Sequence, residues 1–145
     1  TAAPTDSPSP SKDGRSSREA VQQLVQDAFD GVWSELDTAK LLDFHTEDFL
    51  LLEHGLVWSN DSIRHYQLLG QKRKEEQGYQ RINRFEFFDG GTCGDEVWVA
   101  YHNYGTWKKD NDTLFTVQWL ESVVAVETEE GWKLRMMHST RMPSE

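Results

Sequence analysis

A long β-hairpin near the end of the chain, predicted from Val117 to Arg141, constrains the fold more than any other feature. Its first arm reads VQWLESVVAVE, a polar TEEG turn follows, and the second arm reads WKLRMMHSTR. Runs of β-branched and aromatic residues that flank a turn containing glycine are typical of paired strands. The hairpin contains Trp119, Glu121 and His138, so we expect it to support any chemical site.

Two more strands are predicted before this hairpin, because from Tyr79 onward the character of the side chains alternates with a period of two residues. The segments YQRINRFEFFD and EVWVAYHNYGTWKK alternate in character, and a Gly-rich turn and a DND turn separate the strands. Alternation of this kind predicts strands whose two faces differ. The sequence therefore predicts four long antiparallel strands in the second half of the chain.

The first half has helical patterns instead. Ser16 to Glu19 match a capping box, in which the first side chain accepts from the backbone of the fourth residue. Apolar residues then recur at steps of three and four from Val21 to Leu36, which predicts one amphipathic helix of about five turns. Asp37 is placed to cap a short second helix, Thr38 to Phe44.

A small hairpin and a third helix complete this half. Phe49 to Leu52 form an apolar strand, His54-Gly55 turn the chain, and Leu56 to Trp58 return. Ser59-Asn60-Asp61 are candidate caps for a third helix. Helices followed by long strands predict an α+β domain, with a curved sheet packed on the helices along one face.

The domain is expected to span residues 16–145, preceded by a flexible tail at residues 1–15. The tail is rich in Pro, Ser, Thr and Asp and has no large apolar residue, so it cannot offset the entropy lost on ordering. The chain starts at Thr1 without Met or an apolar leader, so a trimmed, exported form is one expectation and the localisation is left open. No apolar run approaches the ~20 residues of a membrane helix.

Charge and composition exclude several function classes. A net charge of −10 with pI ≈ 4.9 disfavours a nucleic acid or an anionic membrane as partner, because either requires a basic face. The five histidines lack HxH, HxxxH and HExxH spacing, so we predict no metal site. There is no GxSxG elbow, P-loop or dinucleotide fingerprint, and the lone Cys93 has no neighbouring His, so no cofactor is expected.

The order of elements resembles a known fold. The closing GWKLRMMHSTR and the segment Leu56-Val57-Trp58-Ser59 are similar to the nuclear-transport-factor-2-like superfamily, within it the SnoaL-like and kinase-association-domain-like families. The resemblance covers about Ser16 to Met142. It implies a cone, a cystatin-like roll with a mixed edge, whose strongly curved sheet and three helices enclose one pocket. It also implies a homodimer through the outer face of the sheet.

His138 and Glu121 are the candidate catalytic residues. Strict alternation along the last strand places His138 on the inward face with Leu134 and Met136, where an imidazole could act as general acid or base. A hydrogen-bonded structural histidine is the alternative. For Glu121 both faces stay open: inside, burial would raise its pKa and suit a proton shuttle, whereas outside it would be an interface or solvated charge.

The candidate ligand-binding residues are mostly aromatic. Trp119 belongs to the hairpin, and Tyr101 with Asn103 share one face of the strand before it. The remaining candidates come from the first half of the chain: Trp58, Tyr66 and His54. Cross-strand aromatic packing explains the rings equally well without a ligand.

Three functions remain open at this point. The first is a SnoaL-like domain with an apolar, aromatic-lined cavity that catalyses cofactor-free isomerisation, dehydration or hydrolysis of a small apolar or aromatic molecule. The second is the same cavity binding a ligand without catalysis. The third is a dimerisation or association module that resembles the kinase association domain. Because one fold supports many functions, the resemblance does not choose among them.

Overall fold

The computed structural model describes residues 16–143, and the predicted tail at residues 1–15 lies outside the described residues. The described chain contains three α-helices and six strands. No helix among these residues combines the length and the apolar character that crossing a membrane requires. The helices and strands follow in this order: α1 (Ser17–Ala28), α2 (Leu41–Phe44), β1 (His45–Glu53), β2 (Leu56–Trp58), α3 (Asn60–Gln77), β3 (Gln80–Cys93), β4 (Glu96–Lys109), β5 (Asp112–Thr128) and β6 (Gly131–Arg141).

The predicted helix starts are confirmed. Ser16 Oγ accepts a hydrogen bond from the Glu19 backbone N–H at 3.1 Å and caps α1. Asp37 caps a 3₁₀ turn, Thr38–Lys40, that leads into α2. Ser59 caps α3 in a reciprocal capping box. These side chains accept from N–H groups that have no partner within the helix, which explains why the helices begin there.

The first helix differs from the prediction in its last turns. After Ala28 it continues as a π-helix over Phe29–Ser34. The apolar stripe nevertheless faces the sheet throughout, because Val21, Val25 and Val32 are fully buried. Single-turn π segments occur often at functional sites, and this one carries the rings of Phe29 and Trp33.

The strands form one six-stranded sheet in the order β2-β1-β6-β5-β4-β3. Only β1 and β6 pair in parallel, so the sheet is mixed, and the predicted α+β class is confirmed. Helix α1 packs on the inner face against β3, β4 and β6, where Val99, Val123 and Leu134 are fully buried. The strong curvature and the cone shape stay predictions.

A β-bulge in β6 reverses the faces of the last strand. Leu134 pairs with Ala125 and Met136 pairs with the preceding residue, Val124, so Arg135 is left without a cross-strand partner. An extra residue in one strand shifts all later side chains to the opposite face. Met137 and Ser139 are therefore buried, and His138 is exposed on the outer face. The predicted inward position of His138 is wrong, because strict alternation along β6 holds only without the bulge at Arg135.

Gln67 of α3 connects the third helix to the end of the first. Its side chain is fully buried, and its amide donates to the backbone oxygens of Val32 at 3.0 Å and Asp37 at 3.3 Å. Val32 belongs to the last turn of the π-helix and Asp37 follows it, where helical N–H donors run out, so the Gln67 amide supplies a buried donor to both oxygens.

Replacing Gln67 by Leu should destabilise the fold by about 1–3 kcal/mol, because two backbone oxygens would lose a buried donor. The matched control is Gln77→Leu, the same change at the exposed end of α3, which should have little effect. Urea unfolding of the two variants measures the difference. Equal midpoints and slopes for both would contradict a structural role for the Gln67 amide.

Candidate functional site

A cavity of about 340 Å³ lies between the inner face of the sheet and the helices. Cavities of about 300–1,000 Å³ are typical of small-molecule sites, so this one lies at the lower end of that range. Four acidic or basic side chains line it: Glu53, Arg81, Glu121 and Arg141. Seven of the lining side chains are aromatic: Phe29, Trp33, Trp58, Tyr66, Trp107, Phe115 and Trp119.

The aromatic walls are held by ring-to-ring contacts. The centroid of Tyr66 lies 5.7 Å from that of Trp33 and 6.0 Å from that of Trp58, which connects α3 to the π-helix and to β2. Across the cavity, the Trp107 and Trp119 centroids are 6.2 Å apart. Tilted and edge-on pairs at these separations are favourable, so the walls are expected to be rigid without a ligand.

Gly105 makes room for one of these walls. A Cβ atom at this position in β4 would lie 2.9 Å from the Trp119 ring and 3.2 Å from that of Trp107. Real Cβ atoms essentially never approach as closely as the shorter distance. The absent side chain therefore lets the Trp119 indole approach the neighbouring strand closely.

Glu121 occupies the inner face, at the base of the cavity. It is 5% exposed, and its carboxylate accepts from Ser139 Oγ at 2.6 Å and from Asn103 Nδ2 at 3.1 Å. Burial raises its pKa to about 7, since desolvation disfavours the charged form more than these donors favour it. The two donors come from the neighbouring strands, β6 and β4, so the sheet register sets this geometry.

Tyr101 lies beside Glu121 and is fully buried. Its hydroxyl opposes part of the rise in the Glu121 pKa, although it forms no hydrogen bond with the described residues. Burial raises the pKa of Tyr101 itself, so this residue stays neutral.

Arg81 lies in the cavity over two indole rings. Its guanidinium carbon is 4.9 Å from the Trp107 centroid and 5.0 Å from the Trp119 centroid, distances typical of cation–π contacts. The Nε–H donates to Asn83 Oδ1 at 2.9 Å. Burial lowers the pKa of Arg81 to about 10, which leaves the side chain charged at neutral pH.

The structure separates the predicted ligand-binding residues into two groups. Trp58, Tyr66 and Trp119 line the cavity, and their role in binding stays a prediction. Tyr101 and Asn103 face inward but lie behind Glu121, where they are fully buried. Packing and support of the carboxylate explain their burial.

Neither His54 nor His138 lies at the cavity. His54 is exposed in the turn between β1 and β2, with φ of 52°, next to Glu53, which lines the cavity. His138 lies on the opposite face of the sheet, between Ser122 and Leu52 in the register. The described residues include all five histidines, and none of them lines the cavity. Of the two candidate catalytic residues, only Glu121 lines the cavity.

Sequence reasoning missed Arg81, although a signal was present. In β3, alternation places Arg81, Asn83 and Phe85 on one face. The structure places that face toward the helices, with Asn83 buried and Phe85 packed on the core. A cation on an apolar strand face is unusual and points to a functional position. Within residues 16–143, no group of three or more His, Cys, Asp or Glu side chains is arranged to hold a metal ion.

No protein-family model and no curated protein matches this sequence. The similarity is structural. ActVI-ORFA from Streptomyces coelicolor superposes with a TM-score of 0.71 at 14% identity, over 88% of this chain and 96% of that one. An NTF2-like protein with a cystatin-like fold from Novosphingobium aromaticivorans gives 0.70 at 12% identity, over 88% and 83%.

A third solved structure represents the other resembling family. It is a candidate calcium/calmodulin-dependent protein kinase II association domain from Xanthomonas campestris, with a TM-score of 0.60 at 20% identity, and it covers 100% of both chains. At such identities the similarity establishes the fold and leaves the activity open. The chain has the nuclear-transport-factor-2-like, cystatin-like fold.

Proposed function

We propose that this domain binds a small molecule with an unsaturated or aromatic ring in the cavity, and that Glu121 exchanges a proton with it. The supporting observation is a carboxyl group of raised pKa in the wall of an aromatic cavity. An acid with a pKa near the working pH is present in both protonation states, so it can take a proton and return it. Ser139 and Asn103 would hold the carboxyl group in one orientation during both steps.

The chemistry available to this arrangement is cofactor-free. As a base, Glu121 would remove a proton from a carbon next to a carbonyl group, which is the first step of an isomerisation. As an acid, it would protonate a leaving hydroxyl group, as a dehydration requires. The indole and phenol rings would exclude water from the reacting atoms and orient a flat ligand.

Binding in the cavity should be visible in the indole N–H signals of a ¹H–¹⁵N NMR spectrum. Four of the six tryptophans line the cavity: Trp33, Trp58, Trp107 and Trp119. A library of small cyclic compounds should contain members that shift these four signals and leave those of Trp98 and Trp132 in place. A library in which no compound shifts the four signals would refute binding in the cavity.

The raised pKa of Glu121 has a defined effect on stability. Unfolding returns the carboxyl pKa from about 7 to its ordinary value of 4.5, so the folded state binds more protons between these pH values. The contribution of Glu121 is therefore complete below pH 4.5 and is lost as pH rises through 7. A shift of this size corresponds to roughly 3 kcal/mol.

Glu121→Gln should remove this pH dependence. The free energy of unfolding of the wild type, minus that of the variant, should fall by about 3 kcal/mol between pH 4 and pH 8.5. Glu127→Gln, at an exposed site on the same strand, controls for loss of charge. A difference that stays constant with pH for Glu121→Gln would show that the carboxyl group titrates normally.

We also propose that two copies of the domain pair through the outer face of the sheet. Exposed or half-buried apolar side chains form a row there that follows the register across four strands: Trp98, Val124, Met136 and Leu50. Phe88 and Leu120 are exposed nearby. A contiguous apolar patch on a sheet face is typical of an interface, and it also suits an association module.

Trp98→Glu should dissociate such a dimer, because it would bury a charge in the apolar row. Leu69→Glu, which adds the same charge at an exposed position of α3, should leave the assembly intact. Sedimentation equilibrium of the wild type and both variants measures the assembly state. A wild-type monomer at high protein concentration would refute the pairing and the association function with it.

A further inference from the structure

No described residue forms a salt bridge with Arg81, although the charges of Glu121 and Glu53 partly oppose the effect of burial on its pKa. Its only hydrogen bond is the one from Nε to Asn83, and neither terminal Nη atom forms a hydrogen bond or a salt bridge within residues 16–143. A desolvated cation without a counter-ion is costly. The two Nη groups therefore retain donor capacity at the cavity.

The carboxylates of the cavity do not supply that counter-ion. Glu53 and Glu121 line the same space, but neither forms a salt bridge with Arg81. The effect of Arg81 on the pKa of Glu121 is smaller than that of burial or of the hydrogen-bonding side chains. The Glu121 carboxylate instead accepts one hydrogen bond on each oxygen, from Ser139 and from Asn103.

The rings around Arg81 restrict what can approach it. The guanidinium carbon lies over the Trp107 and Trp119 rings, about 5 Å from each centroid, and this cation–π arrangement leaves no room for a ligand on that side. The planar guanidinium carries its unused N–H groups in a fork that matches the two oxygens of a carboxylate. A second cation, Arg141, also lines the cavity.

We infer that the cavity binds a small aromatic or unsaturated carboxylic acid, with its carboxylate paired to Arg81 and its ring against the indole wall. This inference rests on the proposed binding function and specifies the class of ligand. The balance of charge in the cavity supports this class of ligand. The whole chain carries a net charge of −10, yet the cavity is lined by two cations, Arg81 and Arg141, together with Glu53 and a partly protonated Glu121.

Cinnamate and its neutral amide, cinnamamide, are suitable probes because they differ mainly in charge. Calorimetry, with the tryptophan indole signals to locate the site, should show wild-type protein binding cinnamate at least about tenfold more tightly than cinnamamide. Arg81→Gln should weaken the binding of cinnamate by at least about tenfold and change the affinity for cinnamamide by less than about twofold. Arg84→Gln should match the wild type, since Arg84 lies on the same strand but is exposed and stacks on Tyr104.

A second variant guards against misfolding of Arg81→Gln, which thermal melting would reveal. Arg81→Lys keeps the charge and loses the planar fork, so it should bind cinnamate more weakly than the wild type and still prefer it to the amide. Unchanged cinnamate affinity in both Arg81 variants would overturn the inference, because the carboxylate would then bind elsewhere.

The pH dependence of the affinity for cinnamate provides an independent test. A carboxylate bound in this cavity disfavours ionisation of Glu121, and the other ionisable groups lining the cavity are Glu53, Tyr66, Arg81 and Arg141. Cinnamate affinity should therefore fall as pH rises through 7 in the wild type and stay nearly constant in Glu121→Gln. A wild-type affinity that is independent of pH would contradict pairing close to Glu121.

The outcomes separate this inference from the function on which it rests. If cinnamamide or other neutral rings shift the four cavity indoles as strongly as cinnamate does, the cavity binds ligands but Arg81 does not select an acid. If neither probe nor any library compound shifts them, the binding function and the inference fail together.

Discussion

The β-bulge at Arg135 is the constraint on which the site depends. Before the bulge, Leu134 packs into the core, and after it Met137 and Ser139 take the inward positions. Ser139 can therefore donate to Glu121 across the ladder at 2.6 Å. Without the extra residue, the exposed His138 would face inward and Ser139 would face outward. A single unpaired residue thus decides which polar side chain of β6 reaches Glu121.

The buried carboxyl group and the aromatic walls depend on each other. The rings reduce the access of water to Glu121, and loss of water raises the pKa of the carboxyl group to about 7. The same rings stack against Arg81 and hold it in the cavity. An ion pair between Arg81 and Glu121 would have lowered that pKa further, but such a pair is absent from the described salt bridges. The two groups are therefore free to act on different parts of a ligand.

The two faces of the sheet offer different functions, and the fold itself does not choose between them. The inner face holds the cavity with its ionisable groups, whereas the outer face carries the apolar row that includes Trp98 and Met136. Both features can coexist in one molecule, because strand alternation assigns them separate residues. A dimer that buries the outer face would leave the cavity on the opposite side of the sheet.

The sequence alone determined the order of the elements, their caps and the α+β class, because helix caps, turns and periodicity are local signals. Ser16, Asp37 and Ser59 cap helices as expected, and Trp58, Tyr66 and Trp119 lie at the cavity. The predicted position of His138 is wrong, and alternation alone permits either face of the sheet for Glu121. Only the tertiary structure decided on which face of the sheet these two residues lie. A bulge is one unpaired residue without a clear local signal, and burial depends on neighbours distant in sequence. The same holds for Arg81, whose significance depends on two indoles from β4 and β5 and on the carboxylates that do not reach it.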